Sequence, residues 1–82
     1  MYSVYVLKSL IAKKSYVGVT DNVERRIKEH NDGNHFYTKR HVPWEIVYTE
    51  DYDTFKGARD REKYLKTTPG RRFLKGVFSK IT

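Results

Sequence analysis

Residues 2–8 alternate, and both sides of the alternation are largely apolar. Tyr2, Val4 and Val6 point one way, and Ser3, Tyr5 and Leu7 the other. Period two with two apolar sides predicts a central strand covered on both faces. A second strand is expected at about 15–20. The connection at 9–14 permits a hairpin and is too short for a helical crossover, so the pair should be antiparallel. A third run, Trp44 to Thr49, sets Trp44, Ile46 and Tyr48 against Glu45, Val47 and Thr49, with Pro43 at its start, where a proline is tolerated.

Between and after these runs the period changes. Asp21 or Asn22 can cap a helix that runs to about Asn31 and stops at Asp32-Gly33-Asn34. Its inward stripe reads Val23, Arg26, Ile27 and His30, with Glu24, Arg25, Lys28 and Glu29 opposite. Asp53 or Thr54 caps a second helix from Phe55 to about Lys66, whose stripe is Phe55, Ala58, Glu62 and Leu65. Thr68 followed by Pro69 reads as a cap and first-turn proline. The last helix should bury Phe73, Leu74, Val77, Phe78 and Ile81 and leave Arg71, Arg72, Lys75 and Lys80 outside. The order β-β-α-β-α-α predicts an α+β domain, a small antiparallel sheet with helices packed on it.

Eighty-two residues make one domain, 1–82, near the lower size limit for folding without staples. There is no cysteine, which excludes a disulfide frame and a thiolate zinc site. The histidines at 30, 35 and 41 lack the paired spacing of a structural zinc site. Aromatic residues, 15% of the chain, can supply large buried areas. Apolar runs are short and the N-terminus lacks a secretory pattern, so a soluble cytoplasmic protein is expected. The formal net charge of +7 favours a polyanionic partner, above all nucleic acid.

Five polar side chains are aimed inward: Tyr5, Tyr16, Arg26, His30 and Glu62. Singly, each has an ordinary explanation. A strand tyrosine packs, a core histidine hydrogen-bonds, and Arg26 with Glu62 can form a buried ion bridge. Together they suit phosphodiester chemistry. Arginine neutralises phosphate oxygens, tyrosine or histidine moves a proton, and a lone glutamate can hold one Mg²⁺ with waters and phosphate. Gly18 inside the second strand implies either a bulge or a close approach to its backbone. The loop at 34–43 mixes rings and cations (Phe36, Tyr37, Lys39, Arg40), as stacking on and contacting a nucleic acid requires.

These residues also carry a resemblance. Val4-Tyr5-Val6 and Tyr16-Val17-Gly18 stand where the two signature triplets of the GIY-YIG nuclease family lie. Thr20, Asn22, Val23, Arg26 and His30 match the run that follows, and Glu62 in Arg61-Glu62-Lys63-Tyr64-Leu65-Lys66 matches the metal-binding glutamate. Thr38-Lys39 and Pro43-Trp44-Glu45 are similar to the small standalone bacterial members. The resemblance implies a three-stranded antiparallel sheet with flanking helices and a DNA endonuclease dependent on Mg²⁺ or Mn²⁺, with structure-selective cleavage and DNA repair or recombination as its context. It implies that Glu62 binds the metal, Arg26 holds the scissile phosphate, Tyr5 is the general base with Tyr16 beside it, and His30 assists proton transfer. Gly18, Thr20, Lys39 and Arg40 are the expected nucleic-acid contacts, to DNA first and RNA second. Some members carry an asparagine after the glutamate helix, and this chain has none beyond Asn34. Many also carry a separate DNA-recognition domain for which 82 residues leave no room, so a protein partner is a candidate source of specificity. The alternative is a nucleic-acid-binding module that keeps the fold without useful catalysis.

Overall fold

The computed structural model describes residues 1–80. Tyr2–Ser9 (β1), Ser15–Thr20 (β2) and Trp44–Tyr52 (β3) form an antiparallel sheet in the order β2-β1-β3. The two-sided apolar pattern of β1 is explained by its central place: Val4, Val6 and Leu7 are fully buried and Tyr5 almost so. One face carries Val4, Val6 and Val17 against Ala58, Leu65 and Leu74, which come from helices Phe55–Leu65 (α2) and Thr68–Ser79 (α3). The other carries Tyr5, Leu7 and Trp44, joined by Ile27 of helix Val23–Asn31 (α1). The predicted α+β class and element order are those of the structure. None of the helices is long and apolar enough to cross a membrane among the described residues.

Three expectations, two about facing and one about capping, are corrected. The first concerns β3, which continues to Tyr52, beyond Thr49. Its register with β1 shifts between Val6 and Leu7, where Val6 pairs with Tyr48 but Leu7 with Ile46. One extra residue reverses the side on which later side chains emerge. Trp44 therefore packs with Tyr5 and Leu7, whereas Tyr48 and Tyr52 pack with Val4 and Val6, and Ile46 is left exposed.

The second concerns the helix stripes. Phe55 is 53% exposed, lying edge-on to Tyr2, while Ala58, Glu62 and Leu65 are buried as expected. On α3, Gly70 and Leu74 are the buried positions. A Cβ on Gly70 would lie 2.1 Å from the Tyr64 carbonyl oxygen, so α3 meets α2 backbone-to-backbone at its start. Phe73 is exposed, Val77 and Phe78 are half-buried, and Ile81 lies outside the described residues. The third concerns caps. Asn22 and Thr54 cap α1 and α2, both within the expected pairs, but Thr67 and not Thr68 caps α3, its hydroxyl accepting from the Gly70 N–H.

Candidate active site

Tyr5 reaches the site from the middle of the central strand, directly opposite Gly18 in β2. No bulge interrupts that pairing. A Cβ at Gly18 would lie 2.5 Å from the Tyr5 hydroxyl oxygen and 2.7 Å from Cζ, so the close approach required there is that of the Tyr5 ring. Gly18 is buried beneath the phenol and Thr20 is buried as well. The Thr20 hydroxyl donates to the Asn22 carbonyl and accepts from the Asn22 N–H, turning the chain from β2 into α1. Gly18 shapes the site from below, while Thr20, though mostly buried, borders a hollow that it shares with Arg26.

The N-cap at Asn22 starts α1 immediately after β2, which places Arg26 and then His30, one turn on, over the β1–β2 pair. Arg26 Nε donates to the Tyr5 oxygen at 3.4 Å, and its Nη1 pairs with Glu29 at 3.3 Å. The Tyr5 oxygen is 2.9 Å from His30 Nε2, and His30 Nδ1 is 2.7 Å from the Thr38 hydroxyl. Arg26 is a donor only, so Nε2 is the acceptor for the Tyr5 proton among its hydrogen-bond partners, and that imidazole tautomer leaves Nδ1–H to donate to Thr38. Thr38 belongs to the 3₁₀ turn Thr38–His41, and its carbonyl accepts from the Trp44 indole at 2.8 Å. Arg26, Tyr5, His30 and Thr38 thus form one directed chain.

Burial controls the protonation of this chain. It pushes the Tyr5 phenol up to about 12 against the opposing pull of the Arg26 hydrogen bond. It pulls His30 down to about 4, assisted by the nearby Arg26 charge and His35. Both groups are therefore neutral at neutral pH. The cation beside Tyr5 is Arg26.

Tyr16 stands at the mouth of this layer, half-buried, its ring 5.1 Å from His30 and 6.2 Å from Tyr5. Its hydroxyl is 3.2 Å from Nε2 of His35. His35 lies 4.9 Å ring-to-ring from His30 and was not among the expected site residues. Its signal was its place among the rings and cations of the 34–43 loop. Thr38 carries no sequence signal beyond its place in Thr38-Lys39. Lys39 and Arg40 are exposed on the same turn, both within cation–π range of the exposed Phe36 ring, while Tyr37 stacks on Tyr16.

Glu62 arrives from the opposite layer. The ordinary alternative of an Arg26–Glu62 ion bridge is not realised. Glu62 pairs with Arg59 and, at 2.8 Å, with Lys66, while Arg26 pairs with Glu29. Burial raises the Glu62 carboxyl, but Lys66 and Arg59 outweigh it and hold the group below its ordinary range. The α2 helix packs across one face of the sheet and touches all three strands. Phe55 at its start borders a hollow shared with Thr20 and Arg26, and Leu65 and Lys66 at its end border a groove shared with Tyr16. Glu62 lies one turn before Lys66, and its charge contributes to the elevation of the Tyr5 phenol. Tyr5 contacts Tyr16, Arg26 and His30, and Tyr16 also lies against His30, whereas Glu62 makes no direct bond to any of the four. Among the described residues no three His, Asp or Glu side chains are grouped to hold a metal.

A central-strand tyrosine linked to a helical arginine and histidine, on a three-stranded α+β scaffold, forms a compact cluster of groups suited to holding an anion and moving a proton. Residues 1–75 match the family profile described as the GIY-YIG catalytic domain, and the chain belongs to that family. It is 37% identical over 81 residues to a UPF0213 protein of Clostridium perfringens, covering 98% of this chain and 86% of that one. A UPF0213 protein of Natronomonas pharaonis is 43% identical over 65 residues, covering 78% of this chain and 75% of the relative. The solution structure of a UPF0213 protein from Bacillus halodurans superposes with a TM-score of 0.55 at 28% identity, covering 93% of this chain and 83% of that one.

Proposed function

We propose that this protein is an endonuclease hydrolysing DNA phosphodiester bonds with Mg²⁺ or Mn²⁺, with a branched or otherwise distorted DNA of repair or recombination as its substrate. The observation that carries the reading is the directed Arg26–Tyr5–His30 chain within a GIY-YIG catalytic domain. Arg26 binds a phosphate oxygen with the guanidinium edge not committed to Tyr5 and Glu29. Tyr5 takes a proton from the attacking water as its own passes to His30 Nε2, 2.9 Å away. An anionic phosphate beside Arg26 offsets the positive charge that depresses His30, so His30 becomes a better base when substrate is bound. Glu62 suits a divalent cation: it is a single ionised carboxylate, and its two partners sit on long, half-exposed arms that can withdraw. The cation, when bound, would neutralise charge on the phosphate and leaving oxygen.

The engagement of both Glu62 oxygens by Arg59 and Lys66 favours the second reading, a nucleic-acid-binding module without catalysis. Incubation with single-stranded, duplex and branched DNA plus Mg²⁺ or Mn²⁺ separates the two. Cleavage by the native chain, lost in Glu62→Ala and Arg26→Ala, is expected. Cleavage that survives both substitutions would show a contaminant, and binding without cleavage on every substrate would establish the second reading.

A further inference from the structure

The apolar side of α3 and the end of α2 leave a groove of about 770 Å³ along the β2 edge, within the range of roughly 300–1,000 Å³ that accommodates a small organic group. Tyr16, whose ring lies 5.1 Å from His30, and Lys66, which pairs with Glu62, both line it, so the groove borders the candidate active site. Leu74 and Phe78 contribute to its floor, Tyr37 to one wall, and Lys66, Arg71, Arg72 and Lys75 to its rim. Helix α3 contains no acidic residue. Among the described residues no carboxylate pairs with Arg71, Arg72 or Lys75, whereas the cations of α1 at positions 25, 26 and 28 are all paired.

We propose that this groove binds an unpaired strand of DNA flanking the phosphate held at Arg26, with a base against Tyr37 and backbone phosphates on Arg71, Arg72 and Lys75. Two features favour an unpaired strand over a duplex. A base can enter an apolar-floored groove and stack on a ring only when it has left its own helix. The rim cations lie along a single helix, at i, i+1 and i+4, which follows one backbone and does not bracket two. Lys66 links the groove to the catalytic layer: a phosphate that draws Lys66 toward the rim removes it from Glu62 and frees one carboxylate oxygen. The groove would thus be occupied as the site becomes competent, and substrates with a splayed or single-stranded arm would be preferred. The inference deepens the nuclease reading and depends on it for the identity of the neighbouring site.

The test measures binding by fluorescence anisotropy in EDTA, using a labelled oligothymidine and a fully paired duplex. It compares the native chain with Arg71→Glu/Arg72→Glu, with Tyr37→Ala, and with Lys56→Glu as a charge control on the far side of α2. Circular dichroism confirms that each variant is folded. The double charge reversal should weaken oligothymidine binding at least about tenfold and reduce the salt slope by roughly 0.7 for each lost phosphate contact. Tyr37→Ala should weaken oligothymidine by about fivefold or more and leave duplex binding unchanged. Oligothymidine binding by the double variant equal to that of the Lys56→Glu control, or equal losses on both probes in Tyr37→Ala, would overturn the groove. Cleavage is scored separately with Mg²⁺, and its absence in the native chain would overturn the nuclease reading alone.

Discussion

The Tyr5 hydroxyl lies 2.9 Å from Nε2 of His30, a contact between the central strand and the second turn of α1. Arg26 bonds the same oxygen as a donor only, which leaves Nε2 of the neutral imidazole as the acceptor for the phenol hydrogen. Tyr5→Phe keeps the ring over Gly18 and removes the hydroxyl, with its proton and its bonds to Arg26 and His30. It should lower the cleavage rate by about 10²–10⁴-fold while leaving DNA affinity nearly unchanged. Single-turnover kinetics set beside binding measured in EDTA check this, and a comparable loss of affinity would show that Tyr5 binds substrate instead.

His30 makes stability depend on pH. Its folded pKa of about 4 lies below the unfolded value of 6.5. Above 6.5 both states carry a neutral ring. As the pH falls from 6.5 toward 4, the unfolded chain takes up a proton that the folded chain refuses, so stability declines by roughly 3 kcal/mol across that window. Below it both states are protonated and the contribution is flat. Urea unfolding at steps through the window should show this slope in the native chain and its loss in His30→Gln.

Gly18→Ala should damage the site through packing. The added methyl would meet the Tyr5 hydroxyl at 2.5 Å and Cζ at 2.7 Å, and a ring buried in the central strand has little room to retreat. A loss of about 1–3 kcal/mol in unfolding free energy is expected, together with reduced cleavage. Tyr5→Phe in the same chain should relieve only part of it, since Cζ remains. Denaturant titration of the two single variants and the double variant measures this.

Lys66 competes for the Glu62 carboxylate. Lys66→Met removes one of two cations from that group while retaining most of the aliphatic arm. Calorimetric titration should show tighter Mn²⁺ binding than in the native chain, by about tenfold for a single displaced half-exposed cation. Glu62→Gln should abolish that binding. Unchanged Mn²⁺ affinity in Lys66→Met would mean that the metal does not bind at Glu62.

Gly70→Ala tests the scaffold away from the chemistry. Its Cβ would strike the Tyr64 carbonyl oxygen and the Leu65 backbone, neither of which can swing aside. A destabilisation of roughly 3 kcal/mol or more is expected by thermal unfolding. Gly76→Ala on the same helix meets nothing within 4 Å and should be neutral or slightly stabilising.

Local rules of period and capping determined much of this protein before any folding was considered. The two-sided apolar pattern of β1 put it in the centre of the sheet, and the stripe from Val23 to His30 marked Arg26 and His30 as inward. Those rules depend only on neighbours along the chain, and the structure follows them. Tertiary structure decided what a one-dimensional pattern cannot carry. The register shift opposite Val6 and Leu7 sent Trp44 and Tyr48 to opposite faces, because an inserted residue reverses every later side chain without changing the alternation in the sequence. Gly18 was visible as a weak point, but only strand pairing shows that the Tyr5 ring fills its missing Cβ. Glu62 was correctly placed as buried, yet its choice of Arg59 and Lys66 over Arg26 depended on which face of the sheet α2 covers. His35 and Thr38 joined the site because the loop after α1 folds back over it, a contact set by packing in three dimensions and not by any spacing along the chain.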